Sequence, residues 1–193
     1  GVSRGKPLDK MGQRALPQGE IFFDNVAVPA RFIAAGPEQY ADAVYDILCE
    51  ANAGMGACFV GVARAAYEHA LAYANERKQG GVPIIRHQNV RYRLFHMLRK
   101  VEAARALARR VFRFNDLSGV RALQASIASK ITGTQTAFEV ANEALQMFGG
   151  NGMTRAYPLE KLLRDARASL IEDGCNEMLA IKGGSLLADT ARL

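Results

Sequence analysis

The sequence predicts a mainly α fold: an antiparallel up-and-down four-helix bundle preceded by a short N-terminal β segment. Three observations predict it. After the turn signal Ala35-Gly36-Pro37 the pattern becomes helical and stays so, dominated by Ala, Leu, Arg, Lys and Glu, with long stretches free of proline. The helical stretches are long and their connections short, which makes consecutive helices antiparallel neighbours. Before Gly36 a single stretch, Glu20 to Pro29, has the period-two texture of a strand among Gly, Pro and charged residues.

Taken in order, the first 36 residues read as an extended unit and residues 37–193 as the helical domain, with the boundary near Gly36. The first helix is expected at about Tyr40 to Asn75 and ends at Gly80-Gly81-Val82-Pro83. Its small residues Ala51, Ala53, Gly54, Gly56, Ala57 and Gly61 allow close approach of another helix or of a ligand. A second helix is expected at about His87 to Asn115. Ser118-Gly119 can cap a third, Val120 to Met147. Two shorter helices follow at about Pro158 to Ser169, where Pro158 suits a first turn, and at Asn176 to Ala188.

Composition narrows the function. With 193 residues and 49% apolar content the chain can bury a substantial core. Its 25 basic and 19 acidic residues leave a net charge of +6, but the charges are dispersed, so no nucleic-acid partner is expected. Cys49, Cys58 and Cys175 are an odd set at spacings that fit no zinc or thioredoxin pattern. His69, His87 and His96 are too scattered for a metal site, so none is expected, and a reducing bacterial cytoplasm or organelle matrix is the simpler compartment. No apolar run approaching the ~20 residues of a membrane span is read, and Gly1 to Lys10 resembles neither a signal nor a transit peptide. The start without methionine suggests a piece of a longer protein.

Three segments carry chemistry. In Gln146-Met147-Phe148-Gly149-Gly150-Asn151-Gly152 a long helix runs into three glycines within four residues, compact enough to press backbone against a phosphate, although a turn alone needs one or two of them. Ile171-Glu172-Asp173-Gly174-Cys175-Asn176-Glu177 gathers carboxylates on a tight turn. A carboxylate in apolar surroundings is raised in pKa and serves as a base; the plainer reading is an Asp-Gly turn before a helix. Arg77-Lys78-Gln79-Gly80-Gly81 with His87-Gln88 collects cationic and amide donors that suit an anionic cofactor, or a solvated helix end.

Together these segments resemble the acyl-CoA dehydrogenase family. Asp9-Lys10-Met11-Gly12-Gln13-Arg14 and Ile21 to Pro29 look like the last two strands of its middle β-domain. Gly61 to Tyr67 and Tyr73 to Gln79 are similar to its first C-terminal helix, and Pro83-Ile84 with His87-Gln88 to the start of the second. Gln146 to Gly152, Tyr157 to Lys161 and Arg164-Asp165-Ala166 are similar to its signature segment. The resemblance implies FAD as cofactor, an acyl-CoA thioester as substrate, a homotetramer or homodimer, and an electron-transfer flavoprotein as acceptor. It implies that Arg77, Gln79, His87, Gln88, Gln146, Gly149 and Gly150 meet FAD held mainly by a neighbouring subunit. Cys175 and Glu177 would lie by the FAD of their own subunit, and Gly174 and Asn52 by the substrate.

Asp173 takes the position of the family's base, usually a glutamate, that removes the α-proton. Aspartate there is similar to nitroalkane oxidases, which makes a flavin oxidase the enzymatic alternative; a non-catalytic helical assembly module is the other. Gly80 stands where the family usually has an aromatic residue and Asn52 where it has an arginine. Branches with the base on the first helix place it at the position of Ala51, and Glu50 lies one step away.

Overall fold

The computed structural model describes residues 1–118 and 121–188. Five helices form the body: α1 (Tyr40–Glu76), α2 (Gln88–Leu117), α3 (Leu123–Phe148), α4 (Leu159–Ser169) and α5 (Asn176–Ala188). These match the expected helices to within a few residues; Gly119 and Val120, the expected cap and start of α3, lie outside the described residues. The chain runs up, down, up and down. Ion pairs Arg93–Glu143 (2.9 Å) and Lys100–Glu139 (2.6 Å) zip α2 antiparallel to α3. Tyr45 donates and accepts near the start of α3, and Tyr73 stacks on Phe148 at its end, so α1 and α3 are parallel. The fourth column is α4 followed by α5, both antiparallel to α3 and broken by the turn that carries Asp173: Tyr157 packs edge-on to Phe148, while Asn176 meets Thr134.

The core is small-residue packing. Ala63, Ala66, Ala70 and Ala74 of α1 meet Ala137, Val140, Ala141 and Ala144 of α3, with Met97 and Val101 of α2 closing one side and Leu159 and Ala166 of α4 the other. Alanine costs no side-chain entropy on burial and is the best helix former, so two such faces lie close without strain. The closest approach is between Gly56 and Gly133: a Cβ on Gly133 would run into the Gly56 carbonyl, and one on Gly56 would lie 2.5 Å from Ser129 Oγ. Helix packing therefore explains Gly56, whereas Gly54 and Gly61 face open space.

Contrary to the sequence reading of apolar runs, α1 is long and apolar enough to cross a membrane, because alanine and glycine lift its average. One face of it packs inside the bundle through Ala53, Ala63, Ala66, Ala70 and Ala74. The three cysteines are free; burial and the nearby Asp46 push the Cys49 thiol up to about 11, so it stays a neutral core group.

The β segment departs from expectation in two ways. Only Ile21–Phe23 (β2) of the Glu20 to Pro29 stretch is strand, and it pairs antiparallel with Val2–Arg4 (β1), not with Asp9 to Arg14. Asp24 N still donates to the Gly1 carbonyl (2.8 Å), and Asn25 follows with φ +45°, which turns the chain out of the extended register. The loop at Gly12 and Gln13 lies on α4 instead: Gln13 N donates to Asp165 Oδ1 (2.5 Å), Gln13 Nε2 to Glu172, and Arg164 Nη1 to the Met11 carbonyl (2.5 Å). A Cβ at Gly12 would meet the Arg164 carbonyl, so only glycine allows this contact.

Candidate functional site

Most of the sequence-predicted residues gather in two places. The first is the end of the bundle where α1 stops and α3 ends. Beyond Glu76 the chain forms a hairpin, Lys78–Gln79 (β3) against Val82–Pro83 (β4), rather than a plain helix stop. Gly80 and Gly81 turn it with φ of +61° and +80°, the paired positive values of a tight type I′ hairpin. Arg77 is the C-cap residue of α1, and its carbonyl accepts from Ile84 N (2.8 Å). His87 is the N-cap residue of α2 and its Nε2 lies 3.1 Å from the Gln79 carbonyl, holding the hairpin against the helix start. Gln88 follows, exposed, as the first residue of α2.

Arg77, Gln79, Gln146, Gly149 and Gly150 line one hollow of about 330 Å³, and His87 with Gln79 and Gln146 lines an adjoining one. Tyr73, Ile84 and Asn151, which lie in the quoted segments without a site role of their own, belong to the first as well. Asn151 Nδ2 donates to Tyr73 Oη (3.0 Å), and the Tyr73 and Phe148 rings stack at 4.0 Å, making a rigid floor.

The three glycines serve three different ends. Gly149 has φ +58° and ψ −138°, a conformation open essentially to glycine alone. At Gly152 a Cβ would stand 2.6 Å from the Leu145 carbonyl, so packing requires it. Gly150 has neither constraint: its φ is not positive and a Cβ would meet nothing. The fold does not explain Gly150, whose bare backbone lines the hollow. With a guanidinium, amides and a bare backbone edge, the hollow fits the phosphates of an anionic cofactor. Gly149→Ala is expected to cost about 1–3 kcal/mol through backbone strain, read as a lowered midpoint in thermal denaturation, while Gly150→Ala leaves the midpoint unchanged.

The second place is the turn between α4 and α5. Asp173 has φ +50° and Gly174 φ +92°. Aspartate is among the few residues that visit this left-handed region readily, so the Asp-Gly pair forms the turn as read from the sequence. Asp173 is exposed, between the exposed apolar residues Ile171 and Met178. The dry surroundings expected of a base are therefore not supplied by this chain. Cys175 is half-buried and its carbonyl accepts from Leu179 N (3.0 Å), and Glu177 is exposed in the first turn of α5.

Beneath the turn lies a residue that sequence reasoning missed. Lys130 of α3 has no exposed surface, and its Nζ donates to the carbonyls of Ser169 (3.0 Å) and Gly174 (2.8 Å) and to Asn176 Oδ1 (2.8 Å). Burial lowers its pKa, opposed by the charges of Glu172, Asp173, Cys175 and Glu177. The signal was available: Leu123, Ile127, Lys130, Thr134, Ala137 and Val140 form one helical stripe, and a lysine in an otherwise core-facing stripe is out of place.

Asn52 is wholly enclosed and presents no surface to a ligand outside the bundle; its Nδ2 donates to the Leu48 carbonyl (2.8 Å), and its Oδ1 has no hydrogen-bond partner among the described residues. Its position follows from the close α1–α3 contact one turn away at Gly56. Glu50 is engaged by Arg121 at 2.6 Å.

Because Gly149, the C-cap residue of α3, lies nineteen positions beyond Lys130, the two places stand about 28 Å apart along the helix. One ligand molecule of ordinary size does not bridge them within a single chain.

Residues 45–183 match the family model described as acyl-CoA dehydrogenase, C-terminal domain. The chain is 34% identical over 178 residues to 3-(aryl)acrylate reductase of Clostridium sporogenes, covering 92% of this chain and 47% of that protein. It is 35% identical over 182 residues to benzylmalonyl-CoA dehydrogenase of Aromatoleum aromaticum, covering 94% and 48%. Its fold superposes on butyryl-CoA dehydrogenase of Megasphaera elsdenii with a TM-score of 0.92 at 30% identity, over 97% of this chain and 49% of that one. The chain thus spans about half the length of the curated relatives it matches.

Proposed function

Because the chain belongs to the acyl-CoA dehydrogenase family, in which it corresponds to the C-terminal domain, we propose that it is the helical part of a flavin-dependent enzyme that dehydrogenates the Cα–Cβ bond of an acyl-CoA thioester to an enoyl-CoA. The observation that carries the reading is the pairing of two unlike surfaces about 28 Å apart on one rigid helix. One is a hollow with a guanidinium and bare glycine backbone; the other is a carboxylate on a fixed turn. Two surfaces too far apart for one ligand within a chain fit a site shared between copies, which supports a homodimer or homotetramer.

In this reading Arg77, Gln79, Gln146 and the Gly149-Gly150 backbone hold the anionic part of a FAD bound mainly by a neighbouring copy, with His87 and Gln88 at its rim. Cys175 and Glu177 sit beside the flavin of their own copy. Bound FAD would supply the acceptor for the β-hydrogen as hydride. Asp173 takes the α-hydrogen as a proton onto its carboxylate, and the electron pair of the broken Cα–H bond becomes the new Cα–Cβ double bond. The remainder of the enzyme covers the turn and excludes water, which this chain leaves open. An electron-transfer flavoprotein is the proposed acceptor, in a bacterial cytoplasm or an organelle matrix.

An aspartate at the base position favours a second reading, a flavin oxidase acting on another acidic C–H bond. Anaerobic absorbance titration of the flavin-loaded, full-length protein with a panel of acyl-CoA thioesters is expected to bleach the flavin. Slow reoxidation by oxygen and fast reoxidation by an electron-transfer flavoprotein fit the dehydrogenase; rapid oxygen consumption overturns it in favour of the oxidase.

A further inference from the structure

We propose that Lys130 is a positioning residue for the base, acting through the turn that carries Asp173; this rests on the reading of Asp173 as base. A fully buried lysine is costly, because its charge loses water. Among the described residues no carboxylate forms an ion pair with it. Its three partners are oxygen acceptors: two backbone carbonyls and the Asn176 amide oxygen. Three acceptors need three N–H donors, so the group is held as the ammonium, with every proton used.

The identity of the acceptors shows what the ammonium does. Ser169 is the last residue of α4, Gly174 the second residue of the Asp-Gly turn, and Asn176 the first of α5. One side chain of α3 thereby fastens both helices and the turn between them to the centre of the bundle. Thr134, one turn along α3, adds a second bond to Asn176, whose Nδ2 donates to Thr134 Oγ1 (3.1 Å). Asn176 N closes the turn onto the Leu170 carbonyl (3.0 Å). Asp173 is exposed and held in a left-handed conformation, so these anchors on either side set where its carboxylate points. Packing alone would be served by methionine or leucine, which fill the same stripe without the cost of a buried charge.

The test compares Lys130→Met, Asn176→Ala and Asp173→Asn in the full-length, flavin-loaded protein by anaerobic stopped-flow reduction with an acyl-CoA thioester. Misplacing a reacting group by about 1 Å costs on the order of a hundredfold in rate. Lys130→Met is therefore expected to lower the limiting rate constant of flavin reduction about 100-fold, with thioester affinity and flavin content changed less than about threefold. Asn176→Ala removes one acceptor and keeps the ammonium, and lowers the same constant about 10-fold. Added to Asp173→Asn, Lys130→Met gives no further loss, because a positioning residue has no effect once its target is gone.

Parental reduction rates in Lys130→Met overturn the proposal, as do parental rates in Asn176→Ala should Lys130→Met fail to fold. Additive loss in the double variant also overturns it, since a structural defect acts whether or not Asp173 is present. If Asp173→Asn itself reduces flavin at the parental rate, the base assignment fails, and the proposal falls with it for that distinct reason.

Discussion

Asp173→Asn is expected to lower flavin reduction by an acyl-CoA thioester by roughly 10²- to 10⁴-fold, the contribution of a positioned general base. Asparagine is the informative replacement. Asp173 occupies φ +50°, and asparagine enters the left-handed region as readily as aspartate, whereas alanine there adds backbone strain that would mix with the chemical loss. The amide keeps the size of the side chain and removes only its capacity to take a proton. Anaerobic stopped-flow absorbance at the flavin band measures the effect directly, and unchanged thioester affinity separates a lost base from a lost fold. A variant that reduces flavin at the parental rate would move the base elsewhere. Glu50 of α1 would be the next carboxylate to replace, although its ion pair with Arg121 at 2.6 Å already occupies it.

The same variant bears on the shorter reach of aspartate. One methylene fewer than glutamate draws the carboxylate back by roughly 1.5 Å, a displacement large enough to matter. The turn answers part of this: its left-handed backbone, with Gly174 at φ +92° and its carbonyl tied to Lys130, fixes the approach of the carboxylate. A base with a short side chain depends more on its backbone than one with a long side chain. Rigid anchoring by Lys130 and Asn176 is the physical complement of the substitution.

The helices were legible because their signals are local. Period, capping residues and breakers all lie within a few positions of the element they define, and α4 and α5 came out within one residue of Pro158 to Ser169 and Asn176 to Ala188. The strands were not, because a strand exists only with its partner: Ile21–Phe23 extends as far as Val2–Arg4 can pair with it. The hairpin after α1 hid behind glycines that also end helices. Of the candidate site, the glycine segment and the Asp-Gly turn could be read because their residue types are unusual where they stand. Lys130 escapes a reading of the sequence because a lysine in a helix reads as solvent-facing until the stripe around it is laid out, and Asn52, placed by the substrate through the resemblance alone, lies wholly inside the bundle of this chain.

The contact between α1 and α3 carries the second large effect. Gly133→Ala is expected to destabilise the protein by about 3 kcal/mol, the upper end of overpacking costs. The added methyl would meet the carbonyl, Cα and carbonyl carbon of Gly56, which are backbone atoms of a long helix and cannot rotate away as a side chain does. Helix propensity acts in the opposite direction, since alanine is favoured over glycine by about 1 kcal/mol within a helix. The steric term wins because separating α1 from α3 loosens the alanine faces on both sides of the contact, from Ala63 to Ala74 and from Ala137 to Ala144. For a domain of this size the loss lowers the thermal midpoint by about 6–12 °C. Gly61→Ala is the internal control: it lies on the same helix as Gly56, an added Cβ meets nothing, and the midpoint should stay or rise. If Gly133→Ala melted no lower than Gly61→Ala, close approach of α1 to α3 would not be what holds the bundle together. Because Lys130 and Ser129 sit on α3 between Asp173's turn and this contact, a spread pair of helices also loosens the base. Gly133→Ala should therefore lose flavin-reduction rate before it unfolds.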